Sequence, residues 1–187
     1  MKFKTFAFLL AICTVLAACN GEEAEEPVDS RDAFFNTISA FCGDTFVGEG
    51  TYPDDPEHDL IATELRAHLS SCDENSIHID LYRNGGETWH ATWILEKREA
   101  GLHLYHDHAG DRDDAEDVLT GYGGYADDRG SATRQYFPAD EHTAEILPEA
   151  VTNVWMMEVN EEAGEFIYYL ERHQEPRFRA VLQHTQL

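Results

Sequence analysis

The sequence predicts an all-β domain, an antiparallel meander of eight to ten strands closed into a barrel, with one short helix ahead of it. Three observations predict this. Apolar residues alternate with polar ones along much of the chain beyond residue 44, the period of a strand with one buried face. Only one stretch of the domain carries a helical period. Short strands recur at hairpin spacing, so the sheet must close on itself or stack to bury its apolar face.

The helical stretch follows Ser30, a residue suited to an N-cap, and repeats Phe34, Ile38 and Phe41 at i, i+4 and i+7. It is expected to end near Gly43. Strands are expected near 45–51 and 60–69. Ile77, Ile79 and Leu81 then alternate with His78, Asp80 and Tyr82, and Trp89, Ala91, Trp93 and Leu95 alternate with His90, Thr92, Ile94 and Glu96. Asn84-Gly85-Gly86 between them is hairpin-turn composition. Leu102 and Leu104 continue the pattern, and further strands are expected near 132–138, 142–147, 151–159, 165–172 and 176–184.

The chain begins with Lys2 and Lys4, an apolar run from Phe6 to Val15, and Leu16-Ala17-Ala18-Cys19. The run is shorter than the roughly 20 residues a permanent membrane helix needs, and it reads as an export signal. Leu-Ala-Ala-Cys resembles the lipobox of bacterial lipoproteins. That resemblance implies a leader at 1–18 that is removed and a lipid-bearing Cys19 that tethers the mature protein to a membrane, where acyl chains contribute about 0.8 kcal/mol per buried methylene. Asn20, where Asp resembles an inner-membrane retention signal, points to the outer membrane. Residues 19–30 hold five acids and a proline but little apolar mass, the composition of a flexible tether. Residues 31–187 have the length of one domain.

Without the leader, eleven basic residues face 37 acidic ones, and ten of the eleven are Arg, Lys97 being the exception. Such a surface is soluble and self-repelling, which favours a monomer. It excludes nucleic acid and anionic lipid surfaces, whose phosphates need clustered cations. It also resembles the surfaces of proteins exposed to high salt. Two cysteines remain, Cys42 and Cys72, and in an oxidising compartment two thiols imply a disulfide.

A short helix, then Gly43-Asp44-Thr45-Phe46 opening the first strand, then a meander resembles the lipocalin or calycin barrel. Phe46 stands one residue beyond the place of that family's first-strand Trp. A β-sandwich of similar strand count would give the same pattern. His106-Asp107-His108, Asp113, Asp117, Tyr122-Gly123-Gly124, Arg134-Gln135 and Phe137-Pro138-Ala139-Asp140, with Thr152-Asn153-Val154-Trp155 nearby, also resemble a family of exported bacterial proteins to which no function is attached. That resemblance implies a shared architecture only.

Candidate chemistry concentrates in His103-Leu104-Tyr105-His106-Asp107-His108 and the acidic run 111–117. Strand parity puts His106 and His108 on the core face of Leu102 and Leu104, with His103, Tyr105 and Asp107 on the other. Two expectations follow. In the first, the barrel interior binds a small hydrophobic or amphipathic ligand, with Trp89, Trp93, His106, His108, Tyr122 and Arg134 contributing. In the second, His106 and His108 join Asp113 and Asp117 on a divalent metal such as Zn²⁺ or Cu²⁺, the one cofactor the pattern suggests. A structural or interaction module of the envelope is a third class.

Gly121-Tyr122-Gly123-Gly124-Tyr125 lacks the strand-to-helix setting of a phosphate loop and reads as a turn or bulge. The acidic run is not an EF-hand, because Glu116 stands where its Gly is needed and Tyr122 where its bidentate Glu belongs. No Gly-x-Ser-x-Gly elbow and no Cys-x-x-Cys-His haem motif is present. The aromatic set Trp89, Trp93, Trp155, Phe166, Tyr168 and Phe178, together with Met157, is suited to a core or, in a small barrel, to a cavity wall.

Overall fold

Ten strands hydrogen-bond in one continuous antiparallel sheet: β1 (Thr45–Tyr52), β2 (Glu64–Cys72), β3 (Ser76–Arg83), β4 (Thr88–Arg98), β5 (Gly101–Asp107), β6 (Tyr122–Tyr125), β7 (Arg134–Pro138), β8 (Asn153–Asn160), β9 (Glu165–Arg172) and β10 (Glu175–Thr185). The computed structural model describes residues 28–110 and 118–185. Cys19, the leader, most of the tether, Asp113 and Asp117 lie outside the described residues.

Every neighbour is sequential except one: β1 pairs with β10, from Thr45 opposite Thr185 to Tyr52 opposite Arg179. That pairing curls the meander into a nearly closed barrel whose remaining seam lies between β6 and β7. Only isolated bonds cross the seam, Asp127 N–H to Tyr136 O at 3.0 Å and Asp140 N–H to Gly123 O at 3.1 Å. Gly124 makes this close approach possible, because a Cβ there would lie 1.8 Å from the Pro138 carbonyl oxygen across the seam; one on Gly123 would lie 1.8 Å from the Leu104 carbonyl oxygen on the β5 side. The barrel, not the sandwich, is the architecture.

The expected strand at 142–147 is a helix, α2 (Glu141–Ile146). Asp140 caps it by accepting the Thr143 N–H at 2.8 Å, and six residues are too few to show a helical period. Its position on the seam explains its retention. Thr143 is fully buried, and its hydroxyl accepts the Gly123 N–H at 2.7 Å and donates to the Gly123 carbonyl at 2.8 Å. The edge strand's free peptide groups are thus satisfied by a side chain where no neighbouring strand reaches.

The first helix, α1 (Ser30–Ser39), starts one residue earlier than expected, because Asp29 is its N-cap and accepts the Arg31 N–H at 2.8 Å. It also stops at Ser39, and turns lead to Gly43. Phe34, Phe35 and Ile38 are buried and close one end of the barrel. Lys97 at the end of β4 reaches Asp32 at 3.3 Å and lies over the Phe35 ring. Gln135 Nε2 donates to the Ser30 carbonyl. Cys42 and Cys72 form the expected disulfide, tying the turn after α1 to the end of β2. Among the described residues the opposite end has no such plug, and it carries the β1–β2, β3–β4, β5–β6, β7–β8 and β9–β10 connections.

Candidate functional site

At the end of the barrel opposite α1 the interior opens into a cavity of about 210 Å³. Its deeper wall comes from strand parity. Trp93 on β4, His106 on β5, Trp155 on β8 and Tyr168 on β9 all point inward and are at most 6% exposed. Trp93 and Tyr168 stack with ring centroids 4.2 Å apart and planes 11° off parallel. His106 stacks on Tyr122 at 4.9 Å, and Tyr122 on Trp155 at 5.8 Å. Two aromatic layers therefore line the cavity, each held by offset or parallel ring contacts.

His106 is held in one neutral tautomer. Its Nδ1 lies 3.1 Å from the Tyr122 carbonyl oxygen, which can only accept, so Nδ1 carries the proton. Its Nε2 then accepts from the Tyr168 hydroxyl at 2.8 Å. Burial pulls the imidazole down to about 3 and pushes the Tyr168 phenol well above its usual range. His108 Nε2 and the Tyr122 hydroxyl share a 2.7 Å hydrogen bond. Burial also lowers His108 and raises Tyr122 to about 12. His90 is lowered to about 4, first by burial and then by His108. These three imidazoles are neutral at pH 7 because the cavity desolvates their charged forms.

Charge enters at the rim. Arg172, the last residue of β9, lines the cavity, and its Nε donates to the buried Asn153 Oδ1 at 2.7 Å. Among the described residues no Asp or Glu lines the cavity, although the chain holds 37 of them.

The structure brings His106, His108, Tyr122 and Trp93 together as expected, but not Trp89 or Arg134. In the β3–β4 ladder, Leu81 pairs with Ala91 and Tyr82 with Trp89. His90 is therefore the extra residue of a bulge, and alternation breaks there. The bulge turns His90 into the cavity and leaves Trp89 on the outer face, its indole N–H donating to Thr92 Oγ1 at 3.3 Å. Arg134 is also on the outer face, in a two-pronged ion pair with Glu158 directly across the β7–β8 ladder, at 2.9 and 2.7 Å. His103 faces outward as parity requires, with Nε2 3.0 Å from Asp140 Oδ2.

Sequence reasoning missed His58, His90, Asn153 and Arg172 among the cavity residues. Parity would have found two of them: Arg172 continues Phe166, Tyr168 and Leu170, and Asn153 precedes Trp155, Met157 and Val159 on the same face. For a metal, both ring nitrogens of His106 are already engaged within the protein. Among the described residues no three His, Cys, Asp or Glu converge to hold an ion.

No family model matches the chain, and no curated protein or solved structure is significantly similar to it. The site is therefore interpreted from its own geometry.

Proposed function

We propose that this is a lipid-anchored envelope protein, tethered through Cys19 to the outer membrane, whose barrel binds a small amphipathic molecule in the cavity opposite α1. The observation that carries the binding half is the lining itself. In a chain this acidic, a concave aromatic surface with a few convergent polar groups and, among the described residues, no carboxylate is a ligand site rather than ordinary surface. The volume supports a small ligand. About 210 Å³ exceeds the roughly 150 Å³ that accommodates benzene in an apolar cavity, and falls below the span of about 300–1,000 Å³ typical of drug-sized ligands. A long acyl chain does not fit.

The anchor half rests on Leu16-Ala17-Ala18-Cys19 and is tested by replacing Cys19 with Ala. The expected result is loss of acylation and of membrane retention; a Cys19→Ala chain that stays in the membrane fraction would overturn it. The binding half is tested by native mass spectrometry of the full mature chain, extracted from its host in mild detergent. Ala91 lines the cavity, so Ala91→Phe fills it. An organic adduct on the wild type that is absent from a folded Ala91→Phe chain is expected. An adduct that survives the filling would place the ligand elsewhere.

A further inference from the structure

Among the described residues, Arg31, Arg66, Arg83, Arg98, Arg129 and Arg134 each form an ion pair with a carboxylate. Arg172, Arg177 and Arg179 form none among those residues, and of these three only Arg172 lines the cavity. Its Nε is taken by Asn153, a residue 4% exposed, and its two terminal amino groups have no protein partner among the described residues. A neutral amide oxygen fixes the plane of the guanidinium without neutralising it, which leaves the fork that recognises planar anions in pairs of hydrogen bonds. In a chain with nearly three times as many acids as basic residues, an arginine fixed in this way and left unpaired is a cation kept available.

The rest of the lining sets the other half of the ligand. The inner wall carries the Trp93–Tyr168 stack and the Tyr122–Trp155 stack, joined by His106, so its surfaces are flat and aromatic. The neutral imidazoles of His106 and His108 are already satisfied by tyrosine hydroxyls, so they offer no charge to an anion. Among the described residues Arg172 is thus the one full positive charge on the wall at pH 7 supplied by Lys or Arg, and it sits on the strand that carries Tyr168 and Leu170, four and two residues away on the same face.

We propose that the ligand is a small aromatic carboxylate, its ring against the Trp93–Tyr168 and Tyr122–Trp155 faces and its carboxylate in the Arg172 fork. The inference rests on the cavity reading above and specifies the ligand's class. Asn153 acts as a positioning residue that holds the fork without touching the ligand's charge. The absence of carboxylates among the described lining residues follows from the same assignment, because a cavity acid would repel the ligand and capture Arg172.

The test is isothermal titration calorimetry of the full mature chain in detergent with 2-naphthoate and with its neutral isostere 2-naphthamide. The acid is expected to bind roughly ten- to one-hundredfold more tightly than the amide, the range of a charge-assisted hydrogen-bonded pair. Arg172→Gln should remove that preference by weakening acid binding far more than amide binding. Arg172→Lys, which keeps the charge but loses the fork, should retain part of the preference, and it serves as the second variant if the Gln chain does not fold. Equal affinity for acid and amide in the wild type, with both lost in Ala91→Phe, would overturn the anion assignment and leave the cavity reading standing. Binding of neither would overturn the aromatic-acid assignment, and the native adduct would then decide the cavity reading separately. An acid preference that survives in Arg172→Gln would also overturn the proposal.

Discussion

Lowering the pH from about 7.5 to about 5 leaves His106 without a second proton, and the cost of that resistance follows from the structure. The imidazole is 2% exposed, with Nδ1 committed to the Tyr122 carbonyl and Nε2 to the Tyr168 hydroxyl. Its folded-state value is about 3 against an ordinary 6.5. The unfolded chain therefore takes up this proton near pH 6.5, whereas the native chain takes it up only near pH 3. Between those limits the unfolded state binds more protons, and stability falls as the pH falls. At about 1.4 kcal/mol per pH unit, His106 alone removes about 2 kcal/mol by pH 5. His90 and His108, also lowered, act in the same direction.

The assay is urea unfolding across this range for the wild type and for His106→Phe/Tyr168→Phe, in which the ring shape is kept and no hydroxyl is stranded. Acidification also relieves repulsion among the 37 acids, but it does so in both chains. The difference between their stabilities is therefore the quantity to read, and it should shift by about 2 kcal/mol between pH 7.5 and pH 5. A difference that does not change with pH would refute the buried neutral imidazole, and with it the tautomer assigned here.

Replacing Cys42 and Cys72 together with Ser should lower stability by about 3–4 kcal/mol, since the bridge closes a 30-residue separation; thermal unfolding with and without reductant checks this. Gly124→Ala pushes a methyl group into the Pro138 carbonyl and should cost about 3 kcal/mol, with faster amide exchange along β6 and β7 than along β1 and β10. Trp89→Phe should leave 2-naphthoate binding within about twofold of wild type, whereas Trp93→Phe, which alters the stack on Tyr168, should weaken it roughly tenfold. Calorimetry on both variants separates an outer-face Trp89 from a cavity Trp89.

The barrel was legible because nearly all of its strands obey one rule. On β8, Asn153, Trp155, Met157 and Val159 are buried, and Val154, Met156 and Glu158 are not; the same alternation runs along β2 and β3. α2 was hidden for the opposite reason. Six residues capped by Asp140 contain less than two turns, and Thr143 is buried there because of a seam between strands that are adjacent in the chain but barely paired. That seam is a property of the closed sheet and leaves no local mark. Phe35 was missed on α1 because the end it plugs receives apolar side chains from more than one stripe of the helix. At the site, His106 and Trp93 were found from parity alone, and Tyr122 from its place in the glycine-rich segment. Trp89 was misplaced because the bulge at His90 is fixed by pairing with β3, a partner that the residues of β4 do not encode by themselves.

The same parity explains how so acidic a chain can hold a cavity with no carboxylate among its described lining residues. On β9 the outward positions are Glu165, Ile167, Tyr169 and Glu171, and the inward ones are Phe166, Tyr168, Leu170 and Arg172. A substitution that adds an acid to the surface therefore leaves the interior untouched as long as it falls on an outward position. Charge can accumulate outside for solubility while the inner face is held to a different composition, and the two constraints meet only at the strand ends. Arg172 sits at such an end. Its side chain continues the inward row, yet its position is close enough to solvent that the charge is not stranded, and Asn153 on the neighbouring strand supplies the one contact needed to aim it. His90 reaches the same rim by breaking parity, in a bulge beside the turn that follows β3. The open end thus collects the residues that a regular barrel interior would exclude, a cation and polar side chains, next to the aromatic rings that a regular interior would keep. A recognition site in this fold belongs at that end, and α1 at the other end leaves it the single opening among the described residues.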